Sequence, residues 1–282
     1  MYEAALILEG GGMRGAFTAG VLDCLMDNDI WLRSVYGVSA GACHGCSYAS
    51  HQRGRALEIN IKYRNDKRYA GLYSLITTGD YFGKDFQLRV IPKELNMYDY
   101  EAFKQSGINY YAVATNCETG KAEYLKIEDM DAEIDKIWAS STLPLLSRMV
   151  DINGKKYLDG GIADSIPVRR AIKDGNKKIV VVLTRDVQYR KKQNELLEII
   201  KLKYRNYPNL VEAVKNRHKI YNKTLAYIRK LESDGKIIVI RPGEKVKIGR
   251  LEKDTEKLKA LYSKGYNEAV KNMDRLKAYL EK

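Results

Sequence analysis

A short apolar run, Ala4 to Leu8, leads straight into Gly10-Gly11-Gly12-Met13-Arg14-Gly15 and then into Ala16 to Met26, where apolar residues recur at helical spacing. Few folds accept that order. A strand that ends in glycines and reopens as a helix is the opening βα unit of an α/β sheet, because the glycines let the backbone turn tightly and point its N–H groups at one spot above the helix start. A second strand is expected around Ser34 to Tyr36, followed by a sharp turn at Gly37-Val38-Ser39-Ala40-Gly41 and a helix from about Gly41 to Arg53. Much later, Lys178 to Thr184 reads KIVVVLT, a nearly continuous β-branched run of the kind buried on both faces of a parallel sheet.

Between these landmarks, YYAVATNC from Tyr110 and AEYLKI from Ala122 read as strands joined by a turn at Glu118 to Lys121, and Asp131 to Ser140 reads as a helix. Asn153-Gly154 marks a hairpin between Arg148 to Ile152 and Lys155 to Leu158. A helix with proline in its first turn is expected over Pro167 to Lys173. Basic amphipathic helices are expected near 192–206, 210–232 and 252–280, with a strand at Ile237 to Ile240 between the last two. Residues 55–108, basic, aromatic and punctuated by Gly71, Gly79, Gly83 and Pro92, read as several short helices suited to covering a substrate.

The 282 residues suffice for one large α/β domain or two small ones, and 45% hydrophobic against 30% charged residues describe a chain with an ordinary globular core. The longest apolar stretches, Ala4 to Leu8 and Ile179 to Leu183, fall far short of the about 20 residues needed to cross a bilayer. The first of them lacks a basic flank before it and meets glycines where a leader would stay apolar, so it reads as a buried strand. Cys24, Cys43, Cys46 and Cys117 are too few to staple a chain of this length, and a reducing, cytoplasmic setting is the expectation. The lone pair Cys43-x-x-Cys46 lacks the second pair of a structural zinc site and is read as two small residues packing one helix face; no metal is expected. The net charge of +13 is uneven: residues 1–185 carry 24 Lys+Arg against 23 Asp+Glu, whereas 186–282 carry 25 against 13. Such a basic face can attract an anionic membrane, though dispersed lysines on helices are more often a solvated face. No zinc finger, recognition helix or aromatic RNA-binding signature suggests nucleic acid.

Alone, the glycine loop suits either a dinucleotide pyrophosphate or the oxyanion of a tetrahedral intermediate. The dinucleotide reading needs an acidic residue at the end of the second strand, and that strand ends instead in Tyr36-Gly37. What stands there is the G-x-S-x-G string around Ser39, whose small neighbours permit the strained strand-to-helix turn that exposes a nucleophilic hydroxyl. A serine near neutral pH needs a base. His44 and His51 lie on the helix leading away from Ser39, and that helix is expected to turn them from the elbow; His218 sits in KNRHKIYNK, which reads as a solvated helix face. Tyr157-Leu158-Asp159-Gly160-Gly161 offers an alternative, a strand ending in an aspartate that two glycines leave open to a cleft.

These three motifs, in this order, resemble the patatin-like phospholipase family. The stretch Ala139-Ser140-Ser141 through Pro144 and the segment DGGIADSIP from Asp159 to Pro167 extend the likeness, which is firm over 4–185 and weak over 186–282; many members carry asparagine at the position of Ser165. The resemblance implies a three-layer α/β/α sandwich around a mostly parallel sheet, with the basic helical remainder packed on the same domain. It also implies a serine acyl hydrolase in which Ser39 attacks a lipid ester, Asp159 accepts its proton, and the N–H groups of Gly11, Gly12 and Met13 hold the oxyanion, while Arg14 steadies the loop or meets a lipid phosphate. Gly10, Gly15, Gly37, Gly41, Gly160 and Gly161 support these motifs. No cofactor is implied, the partner is a lipid or other acyl ester, and the oligomeric state is open. Two rivals compete with this reading: an α/β-hydrolase with a Ser39, Asp159, His218 triad in the customary chain order, and a non-catalytic lipid- or anion-binding protein.

Overall fold

The computed structural model describes residues 1–282. Its elements run β1 (Tyr2–Leu8), α1 (Ala16–Asp27), β2 (Leu32–Val38), α2 (Ala40–Ala49), α3 (Arg55–Lys62), α4 (Leu72–Thr78), α5 (Tyr100–Gln105), β3 (Asn109–Asn116) and β4 (Ala122–Ile127). There follow α6 (Asp135–Ser141), β5 (Val150–Ile152), β6 (Lys155–Asp159), α7 (Val168–Lys173), β7 (Lys178–Val182), α8 (Leu197–Lys203), α9 (Pro208–Ser233), β8 (Ile238–Ile240), α10 (Thr255–Lys271) and α11 (Met273–Glu281). All eight strands form one sheet in the order β5-β6-β3-β2-β1-β7-β8, with β4 also paired to β3. The run β3-β2-β1-β7-β8 is parallel throughout, and the β3–β4, β3–β6 and β5–β6 pairs are antiparallel.

Side-chain alternation along β1 splits the core into two layers. Ala4, Leu6 and Leu8 pack with Phe17 and Val21 of α1, Leu261 of α10 and Leu276 of α11. Ala5 and Ile7 point the other way, onto Val168 and Ala171 of α7 and Tyr221, Leu225 and Ile228 of α9. The molecule is therefore the three-layer α/β/α sandwich expected of the sequence. The KIVVVLT run is buried because β7 lies between β1 and β8, covered on both faces. The hairpin is also as expected: Asn153 and Gly154 both have positive φ, 52° and 79°, as a two-residue turn of matching twist requires.

The basic last third is woven into this frame. β8 extends the sheet beside β7, and α10 crosses α1 so closely that a methyl group at Gly20 would overlap the Tyr262 carbonyl and one at Gly265 the Phe17 carbonyl. Two helices are shorter than their hydrophobic spacing predicts. The first expected helix starts only at Leu197, because residues 186–196 run as a loop that Asn222 of α9 holds through reciprocal bonds with the Lys191 backbone, 2.9 and 3.0 Å. The last expected helix breaks at Asn272, whose side chain donates to the Glu268 carbonyl (2.8 Å).

Strand order reverses direction at β1, which leads to β2 on one side and has β7 on the other. In open α/β sheets the crevice at the carboxyl ends of such strands is where ligands bind. The segments leaving β1, β2, β6 and β7 all meet there.

Candidate active site

Ser39 follows β2 in a backbone conformation rare for any residue but glycine, φ 55° and ψ −124°. Holding a serine there costs on the order of 1–3 kcal/mol and needs surroundings that over-determine it. They are visible. A methyl group on Gly37 would sit 2.5 Å from Ala42 Cα, and one on Gly41 would overlap the Leu8 carbonyl, so α2 can start against β1 only with glycine at both places. The Ser39 N–H donates to Ser140 Oγ at 2.9 Å.

Asp159 ends β6 and is 2% exposed. Register brings it level with Ser39, since Val38 pairs with Val113 of β3 and Asp159 with Ala114. Gly160 lets the chain leave β6 across the Val113 carbonyl. One carboxylate oxygen, Oδ1, accepts the Gly161 N–H at 2.8 Å, and the other, Oδ2, is buried without a partner. The Asp159 N–H donates to the Thr142 carbonyl at 2.8 Å. The segment 140–142 at the end of α6 thus anchors the backbones of both Ser39 and Asp159. No local pattern marks Ser140 for that role, since its partner lies 101 positions away. Ser165 donates to the Gly161 carbonyl (2.7 Å) and so braces the same turn.

The glycine loop arches over this pair. Gly10, Gly11, Gly12, Met13 and Arg14 share one cleft with Ser39, Asp159 and Gly161, and Gly10 Cα lies so near Ser39 that a Cβ would be 2.9 Å from the serine's own. Gly12 is at φ 58°, with room for a Cβ only 2.6 Å from the Arg250 carbonyl. That carbonyl accepts the Met13 N–H at 3.0 Å. The expectation that Met13 helps to hold an oxyanion is thereby corrected: its donor is already engaged by the segment before α10, which leaves the Gly11 and Gly12 N–H groups.

Histidines are distributed differently from expectation. His44 does face the cleft, because it lies one helical turn beyond Ala40 and both press on Gly15. Burial holds its imidazole down to about 4, so near neutral pH it is an uncharged and weak base. His51 stacks on Trp31 at 3.8 Å, and His218 is not part of the cleft lining. Cys46 is buried in the core and Cys43 lines the cleft, and both also border one neighbouring cavity between α2 and α3.

Sequence periodicity gave no hint of the other wall. Glu9, Arg185, Tyr189, Lys191, Arg217, Tyr221 and Arg250 complete the lining, and most of them come from the basic third. Glu9 accepts from Tyr221 Oη (2.5 Å), Thr184 N (2.6 Å) and Thr184 Oγ1 (3.1 Å). Burial, and then the nearby Arg185 and Arg250, lowers Arg14 to about 10; burial, and then Arg217 and Arg250, lowers Lys191 to about 7. From the region 55–108, Asn60, Tyr69, Phe82 and Gln87 reach the cleft. No group of three or more His, Cys, Asp or Glu side chains is placed to hold a metal ion.

Residues 6–172 match the family model described as patatin-like phospholipase, and residues 207–281 match a domain of unknown function (DUF6363). The uncharacterized protein YjjU of Escherichia coli K12 is 32% identical over 184 residues, covering 64% of this chain and 51% of YjjU. Probable lipid hydrolase 463L of Invertebrate iridescent virus 6 is 26% identical over 197 residues, 63% of this chain and 66% of that protein. Lysophospholipase NTE1 of Meyerozyma guilliermondii is 29% identical over 183 residues, 63% of this chain but 12% of its own length. The matched region thus spans about half of YjjU and far less of NTE1. Among solved structures, VipD from Legionella pneumophila covers 96% of this chain, and 67% of VipD is covered in return, at 14% identity and a TM-score of 0.47.

Proposed function

The chain belongs to the patatin-like phospholipase family, and from that membership we propose that it is a serine acyl hydrolase acting on lipid carboxylic esters through a Ser39–Asp159 dyad. The observation that carries this reading is the buried, unpartnered Oδ2 of Asp159 in the cleft that holds Ser39. A desolvated carboxylate oxygen without a hydrogen-bond donor is open to take a proton, and we assign the Ser39 hydroxyl as its source. Asp159 takes the Ser39 proton as Oγ attacks the ester carbonyl; the alcohol leaves with that proton, and an acyl-enzyme remains. Water, deprotonated by the same carboxylate, then releases the acid and restores Ser39. The Gly11 and Gly12 N–H groups receive the oxyanion, each such donor being worth about 3 kcal/mol of barrier. The names borne by 463L and NTE1, lipid hydrolase and lysophospholipase, support a lipid ester as substrate.

Labelling tests this directly. A fluorophosphonate is expected to place one phosphonyl adduct on Ser39, read by peptide mass spectrometry. A folded but unlabelled protein would return the chain to a non-catalytic binding role.

A peripheral contact with the membrane belongs to the same reading. No helix is long and apolar enough to cross a bilayer. Two short helices nevertheless expose large apolar side chains: Leu72 and Ile76 of α4, 69% and 76% exposed, and Leu202 of α8, 72% exposed. Both are tied to the segment that walls the cleft, since Arg148 donates to the Thr78 carbonyl and the Leu145 N–H to Tyr204 Oη (3.2 Å), while Leu143 itself lines the cleft. Apolar side chains beside a cleft for lipid esters, in a basic protein, suit an anionic bilayer surface. Flotation with anionic vesicles is expected to drop markedly for Ile76→Asp/Leu202→Asp and in high salt; binding indifferent to both removes the membrane contact from the reading.

A further inference from the structure

Five cations line the cleft, Arg14, Arg185, Lys191, Arg217 and Arg250, and none lies within ion-pair distance of a carboxylate. Elsewhere the protein pairs its basic residues freely, as Arg53 with Asp27 at 2.7 Å. The cleft's two acids do not offset the excess. Glu9 is saturated by the neutral donors Tyr221 and Thr184, and Asp159 accepts the Gly161 N–H on one oxygen while the other is buried without a donor. Even with Lys191 held down to about 7, the four arginines outnumber the two carboxylates and leave the cleft net positive.

Most of these side chains are held in place, Arg250 alone being exposed. Arg14 is 7% exposed, and its buried Nε has no partner; the Nε atoms of Arg185 and Arg217 are likewise buried and unpartnered. Arg185 donates to the Val246 carbonyl (3.1 Å) and lies over the Tyr189 ring at 4.6 Å. Lys191, its backbone clasped by Asn222, sits over the Tyr221 ring at 4.3 Å. Gathering like charges in a half-buried site is unfavourable: Lys191 and Arg14 are both lowered, by burial first and by the neighbouring arginines second. An anion seated among them would offset the repulsion and supply the missing acceptors.

We propose that this basin, formed where the basic third meets the glycine loop, binds a phosphate monoester dianion on the alcohol side of the scissile ester, so that the preferred substrates are acyl esters of a glycerol phosphate. The assignment rests on the hydrolase reading above and narrows it. A zwitterionic headgroup fits poorly, because its ammonium would find no free carboxylate, and the rings of Tyr189 and Tyr221 that might receive it are already covered by Arg185 and Lys191. A neutral glyceride leaves all five cations uncompensated.

Three lysolipids sharing one oleoyl ester separate the alternatives: oleoylglycerol phosphate, oleoylglycerophosphocholine and monooleoylglycerol, compared by kcat/KM below their micellar concentrations. The phosphate monoester is expected to lead by about 100-fold, the order of one or two charge-assisted hydrogen bonds. In Lys191→Gln/Arg250→Gln, whose fold is checked by its melting temperature, that lead is expected to shrink at least about tenfold. The wild-type comparison needs no variant, so misfolding of the double mutant leaves the proposal testable. Equal turnover of all three lipids overturns the basin while the hydrolase reading stands; no turnover of any overturns both. If inorganic phosphate competitively inhibits monooleoylglycerol hydrolysis and the wild-type shows no lead for the phosphate lipid, the basin serves free phosphate, and the substrate assignment falls.

Discussion

Ser39→Gly is expected to lose ester hydrolysis by on the order of 10⁴-fold or more and to be about 1 kcal/mol more stable than Ser39→Ala, which loses activity equally. The kinetic half follows from removing the nucleophile. The stability half follows from its backbone: φ 55° with ψ −124° strains any side chain, and glycine relieves the strain at some cost in unfolded-state entropy. Ser39→Ala keeps the strain, so the two inactive variants differ only in the elbow's conformational cost. Turnover on an acyl-ester panel and denaturant midpoints measure the two halves. Retained hydrolysis in either variant would remove Ser39 as nucleophile, and equal midpoints would show that the surroundings, rather than the elbow residue, absorb the strain.

Asp159→Asn is expected to reduce kcat by about 10³- to 10⁴-fold while shifting the melting temperature little. The amide oxygen can still accept the Gly161 N–H that now binds Oδ1 at 2.8 Å, so the turn is preserved. What is lost is the capacity of the second atom to take a proton from Ser39. His218→Ala, by contrast, is expected to leave kcat within about twofold, because the half-buried His218 side chain does not line the cleft. His218 lies outside the cleft lining, and a loss of orders of magnitude there would revive the Ser39, Asp159, His218 triad. Substantial activity in Asp159→Asn would move the base elsewhere, and His44, the one imidazole on the cleft wall, would be the next to examine.

Parts of this picture could be read without coordinates because local sterics alone produce them. Asn153-Gly154 adopts positive φ at both positions whatever surrounds it, the β-branched run at Ile179 to Val182 must lie between neighbours on both faces, and Gly37 and Gly41 mark where a helix must start against a strand. Other parts could not. Helical spacing placed an amphipathic face on 210–232 but said nothing of which element it would meet, so Arg217 read as one more solvated cation. Residues 192–196 read as the start of a helix because nothing local shows that Asn222, some thirty residues onward, holds the chain at Lys191 in a loop.

The amino-acid sequence by itself determined the first βα unit, the strained serine turn and the aspartate that closes β6, since each rests on glycines and chain neighbours a few residues away. Only the tertiary structure decided that Met13 would give its N–H to Arg250, that Ser140 and Thr142 would anchor Ser39 and Asp159 together, and that five cations would share the cleft with them. The physical reason is range: Ser39 meets Ser140 and Met13 meets Arg250 across a hundred or more positions, and even the nearer Thr142–Asp159 bond depends, like the others, on how α6, α9 and the segment before α10 pack on the sheet, which no local pattern specifies.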